Sequence, residues 1–123
     1  MCTLIFVYGT LKRGQRNNGF LAGQEFRSVA QTLPRYRLVD NGAHPCLVED
    51  PGHGVAVQGE LWCVDEETLA RLDKFEEVPR LFDRRAIDLT GISTVVFAYF
   101  YQGDTAGMKN CGDCWPAPSQ GAC

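Results

Sequence analysis

Hydrophobic positions change period several times along the chain, and each change marks an element. Residues 3–8 (TLIFVY) are an almost unbroken apolar run stopped by Gly9, which is the pattern of a strand covered on both faces. Residues 17–22 read as a short helix. Two further strands are expected over 25–33 and 35–40, separated by Pro34, and a short edge strand over 45–49 lies between the turn signals DNG (40–42) and DPGHG (50–54). Residues 55–64 then alternate with a period of two. Val55, Val57, Leu61 and Cys63 share one face, and Gln58 and Glu60 share the other, where Glu60 is expected to meet solvent.

At Asp65 the period lengthens to that of a helix. Asp65 is placed to cap it, Glu66 and Glu67 stand in its positively polarised first turn, and Pro79 lies just beyond its end. Strands over 82–89 and 94–101 follow, joined by TGIS, with Tyr99 and Tyr101 on a face that reads as core. Many short strands with one main helix predict an α+β fold, a small barrel-like sheet with helices packed outside. Residues 1–102 form that domain. From Gly103 the chain turns rich in Gly, Pro and Ser, so 103–123 is expected to be an extended C-terminal tail.

Composition narrows the function classes. With 123 residues and a formal net charge of −3, the chain is of single-domain length and has no basic excess for nucleic-acid or anionic-membrane phosphates. Its opening apolar run is too short for a signal peptide or a span, which points to the cytoplasm. Six unevenly spaced cysteines are then expected as reduced thiols. The Cys111/Cys114 pair lacks the second pair that a zinc site wants. His44 and His53 sit in turns without companions at ligand spacing, so no metal is expected.

Two stretches carry candidate chemistry. In YGTLKRGQR (8–16), Gly9 lets the backbone turn sharply, and the amides of Thr10 and Leu11 are placed to meet a carboxylate or oxyanion oxygen. Gln15-Arg16 stands where a phosphate loop needs Lys-Ser/Thr, so the near match to that motif fails. In LARLDKFEEVP (69–79), Leu69, Leu72 and Glu76 project within roughly 60° of one another at about 100° per residue. Glu76 thus falls on the apolar stripe at the helix C-terminus. One reading makes it a buried carboxyl of raised pKa, suited to proton transfer. The other makes it a solvated last-turn glutamate paired with Arg80 or Arg84.

VYGTLKRGQ, VQGELWCVD and LDKFEEVPRLFDR, with YFYQG and CGDCW later in the chain, resemble the gamma-glutamylcyclotransferase-like family, and most closely its γ-glutamylamine cyclotransferase branch. The resemblance implies a small mixed barrel with short helices around it and a cofactor-independent enzyme that releases 5-oxoproline from a small γ-glutamyl substrate. It implies Glu76 as the catalytic residue and Tyr8, Gly9, Thr10 and Leu11 as substrate-binding residues. Phe82 stands where relatives often carry tyrosine. A barrel that binds a small acidic metabolite without turning it over is the alternative reading.

Overall fold

The computed structural model describes residues 2–116. Seven strands and one α-helix follow the expected order, and an eighth strand is added after them: β1 (Thr3–Val7), a short 3-10 helix (Asn18–Leu21), β2 (Glu25–Gln31), β3 (Tyr36–Asp40), β4 (Pro45–Glu49), β5 (Gln58–Val64), α1 (Glu66–Phe75), β6 (Phe82–Leu89), β7 (Ile92–Tyr101) and β8 (Lys109–Gly112). They form one curled mixed sheet in the order β2-β5-β1-β7-β4-β3-β8, with β6 paired to β7. The small mixed α+β barrel expected from the sequence is the architecture observed.

β5 and β7 pair with the two edges of β1, and packed side chains cover both of its faces. Phe6 points into an inner cluster with Leu38, Leu47, Val57 and Phe100. Ile5 and Val7 point the other way, into a layer with Leu21, Val64 and Leu72. Leu72 carries the helix stripe into that layer and is fully buried. The Asp65 side chain accepts the Thr68 amide at 2.8 Å, as the cap pattern requires.

Three expectations change. The hairpin is tighter than expected: Leu89 pairs with Ile92 across a two-residue turn whose Gly91 has φ 74°, a conformation glycine adopts without a Cβ penalty. The stretch from Gly103 returns to the sheet, where β8 runs along β3 with Val39 opposite Asn110 and Asp40 opposite Lys109. Polar composition concealed this pairing, because β8 contributes backbone hydrogen bonds more than apolar side chains. Residues 117–123 of that stretch lie outside the described residues.

The cysteines also differ from expectation. Cys2 and Cys63 are disulfide-bonded with Cα atoms 5.4 Å apart, and Cys114 is disulfide-bonded too. Cys46 and Cys111 are free. The antiparallel β1–β5 register places Cys63 opposite Leu4, two positions from Cys2, and a sequence separation of 61 conceals that proximity. Cys111 and Cys114 are therefore not a matched pair of thiols. Among the described residues no cluster of His, Cys, Asp or Glu is arranged for a metal ion, and no helix is long and apolar enough to cross a membrane.

Candidate active site

The site opens where one edge of β7 changes partner. β6 occupies the opposite edge, and β1 and β4 both run parallel to β7, through Ile5–Phe97 and Leu47–Phe100. One partner stops as the other begins. The chain after Val7 therefore peels away beside Pro45, and its backbone groups leave the ladder. Such a partner change is a recurrent place for a ligand crevice in sheets with parallel strands.

Residues 8–18 turn this break into a rigid cradle. The Tyr8 hydroxyl donates to the Tyr99 carbonyl at 2.7 Å, which anchors the start of the loop. The Lys12 amide closes a turn onto the Gly9 carbonyl at 3.1 Å. Asn17 and Asn18 tie down the middle, with their side-chain amides on Thr10 Oγ1 at 3.0 Å and on the Leu11 carbonyl at 2.9 Å. Among the described residues the amides of Gly9, Thr10 and Leu11 meet no internal acceptor. Their donor capacity remains for a bound oxygen.

Gly9 matters for a reason the sequence does not carry. A Cβ there would lie 2.5 Å from Pro45 Cγ and 3.2 Å from Pro45 Cδ. The requirement is close approach to β4, and Gly9 is not among the positive-φ glycines.

Glu60 holds the far side of the loop. It is buried, not solvated, because β5 is covered by β2 and β1 on its edges and by packing on both faces. Its carboxylate accepts the Arg13 amide at 3.0 Å, Arg13 Nε at 3.1 Å and Trp62 Nε1 at 3.1 Å. The Arg13 guanidinium also lies 3.7 Å above the Phe26 ring. Glu60 therefore positions the loop and does not line the cavity.

Glu76 enters from the opposite wall as the C-terminal cap of α1. The helix ends in a Schellman motif. The Glu77 amide bonds to the Lys74 carbonyl, the Val78 amide bonds to the Asp73 carbonyl, and Glu77 occupies the left-handed region at φ 54°. These bonds close the last turn and fix the Glu76 backbone. Burial raises its carboxyl from 4.5 to about 7.

Neither arginine that the solvated reading would use faces Glu76. Arg80 pairs with Glu77. Arg84 grips Asp73 at 2.9 and 3.1 Å, and the Tyr99 hydroxyl donates to the same carboxylate at 2.7 Å. The solvated alternative for Glu76 does not describe this structure.

Glu76 and residues 8–11 line one cavity of about 210 Å³. Phe82 forms an apolar part of its wall, edge-on to Tyr101 with ring centroids 5.6 Å apart. Burial and the Glu76 charge hold the Tyr8 hydroxyl far above its usual pKa, so it remains a neutral donor. The lining residues that sequence reasoning missed include Arg16, His44, Pro45 and Tyr99. The apolar face that assigned Tyr99 to the core is the face turned toward α1, where its hydroxyl braces the helix end. Arg16 and His44 come from loops and Pro45 from the start of β4, all brought to the cavity by contacts that no periodicity encodes.

The half-barrel thus brings a carboxyl raised by burial to about 7 and the backbone of residues 9–11 to the lining of one cavity. The chain belongs to the Gamma-glutamyl cyclotransferase, AIG2-like family, whose model matches residues 5–117. It is 45% identical over 91 residues to the human gamma-glutamylaminecyclotransferase, a match covering 68% of this chain and 60% of that protein. It is 40% identical over 111 residues to gamma-glutamylaminecyclotransferase A of Danio rerio, covering 80% and 69%. The crystal structure of an AIG2-like protein from Mus musculus superposes with a TM-score of 0.73 at 32% identity, over 86% of this chain and 90% of that one.

Proposed function

We propose that this chain is a gamma-glutamylcyclotransferase-type enzyme that releases 5-oxoproline from a γ-glutamyl amine or related γ-glutamyl compound. The observation that carries the reading is the Glu76 carboxyl, raised to about 7 in the cavity that the Gly9, Thr10 and Leu11 amides also line.

The α-ammonium of the bound γ-glutamyl group gives a proton to the Glu76 carboxylate. The freed amine attacks its own γ-carbonyl carbon and forms the lactam C–N bond. The amides of Gly9 to Leu11 receive the oxyanion, an interaction worth about 3 kcal/mol per donor in comparable sites. Glu76 gives its proton to the scissile nitrogen, collapse of the oxyanion breaks the original C–N bond, and the second proton of the ring nitrogen passes through the regenerated carboxylate to the freed amine, which departs as an ammonium beside the neutral lactam. One carboxyl serves as base and then as acid, and this dual use favours a pKa near the working pH. Because both reacting groups belong to one molecule, the cradle has only to hold a bent conformation. Tyr8 bounds the cradle as a neutral wall.

Incubating the protein with γ-glutamyl amines, γ-glutamyl dipeptides and glutathione, with mass-spectrometric detection of 5-oxoproline, tests this reading. Release of 5-oxoproline with an equimolar amine is expected. Saturable binding of the same compounds with no product would overturn the enzymatic reading in favour of the binding barrel.

A further inference from the structure

The described residues include nine arginines, and all but one sit in an ion pair with an aspartate or glutamate. The exception is Arg16, which lies exposed on the cradle loop and donates to the Ala43 carbonyl. Its position is as distinctive as its lack of a carboxylate partner. Arg16 and Asn17 line the cavity that holds Glu76, and they also line a neighbouring cleft between the 3-10 helix and α1. The tilted rings of Phe75 and Phe20, with centroids 4.5 Å apart, stand between the two. Phe75 faces the cavity, and Phe20 faces the cleft. The charged side chains lining the cleft are Arg16 and Arg71, the latter tempered by Glu67 at 3.8 Å.

We propose that this cleft receives the departing amine and that Arg16 selects γ-glutamyl compounds whose departing amine carries a carboxylate, such as γ-glutamyl amino acids. The inference rests on the cyclotransferase reading. In that reaction the α-amine and the scissile nitrogen meet Glu76 and the γ-carbonyl oxygen meets the cradle amides, so the substituent on the scissile nitrogen is the part of the substrate left to extend past Arg16 and Asn17 into the neighbouring cleft. A carboxylate on that substituent meets a guanidinium that has no internal anion to displace. A cationic substituent meets two arginines. Selection therefore works by attraction of one charge and repulsion of the other.

Two substrates of nearly equal size isolate the effect: γ-glutamylglycine, which leaves with a carboxylate, and γ-glutamylethylamide, which leaves without one. The parent enzyme is expected to favour γ-glutamylglycine in kcat/KM. Arg16→Gln is expected to lower the ratio of the two values by about 3- to 10-fold, the range for a single partly exposed charge-assisted pair. Arg16→Lys keeps most of the ratio, and added salt narrows it in the parent. An unchanged ratio in Arg16→Gln overturns the proposal. Equal losses on both substrates also overturn it, because they place Arg16 on the α-carboxylate that the substrates share.

Calorimetric binding of the same two compounds to Glu76→Gln, with and without Arg16→Gln, separates this inference from the reaction itself. An Arg16-dependent binding preference without 5-oxoproline release by the parent refutes the reaction and leaves the subsite standing. Turnover without any preference refutes the subsite alone, and binding of neither compound refutes both.

Discussion

Glu76→Gln is expected to lower kcat for γ-glutamyl substrates by about 10²- to 10⁴-fold, the usual contribution of a positioned acid–base group. The same variant is expected to be more stable than the parent above neutral pH. In the native protein the carboxyl titrates at about 7 instead of 4.5. Between those values the unfolded chain has released the proton that the native state still holds, so stability falls as pH rises through the window. Above it the parent carries a desolvated charge that glutamine lacks. The difference at pH 8 reaches up to about 3 kcal/mol. Thermal melts at pH 5 and pH 8, with initial rates on a γ-glutamyl substrate, read both effects. A stabilised, inactive variant is the expected result. An active one would remove Glu76 from the mechanism, and equal melting temperatures at pH 8 would remove its desolvation.

Gly9→Val is expected to be the most damaging substitution in the cradle. A Cβ at this position meets the Pro45 ring at 2.5 Å, and the proline is buried at the start of β4, so neither partner moves freely. Relief requires the loop to shift and carries the Thr10 and Leu11 amides with it. Misplacement of about 1 Å in such a cradle costs on the order of 10²-fold in kcat/KM. Overpacking costs a further 1 to 3 kcal/mol or so in stability. Gly52→Ala is the control, since a Cβ there meets nothing within 4 Å. Equal kinetics for Gly9→Val and the parent would show that the cradle does not hold the reacting group.

The legible parts of this fold and site are those governed by local periodicity. The double-faced run of β1, the capped helix and the phase that turns Glu76 onto the Leu72 stripe all follow from spacing alone. Glu60 shows where that logic stops. Alternation gave it a polar face, but the sheet order buries that face, and the partner that satisfies it, Arg13, lies 47 residues away. Tyr99 illustrates the same limit, since its apolar neighbours are visible in the sequence and its bond to Asp73 on α1 is not. The need for glycine at position 9 was legible, whereas its cause, the Pro45 ring, depends on β4 arriving where β1 leaves. The disulfide of Cys2 depends likewise on strand register.

The pH dependence of kcat/KM on a γ-glutamyl amine tests the central claim most directly, because it reads the protonation state of the proposed base in the free enzyme. The α-ammonium gives its proton to an ionised Glu76, so activity requires the carboxylate. The rate constant is expected to rise about tenfold per pH unit below neutrality and to level off above an inflection near 7, where burial places this carboxyl. An inflection in the ordinary carboxylate range near 4 to 5, or a flat profile from pH 5 to 8, would contradict the assignment of Glu76 as the base.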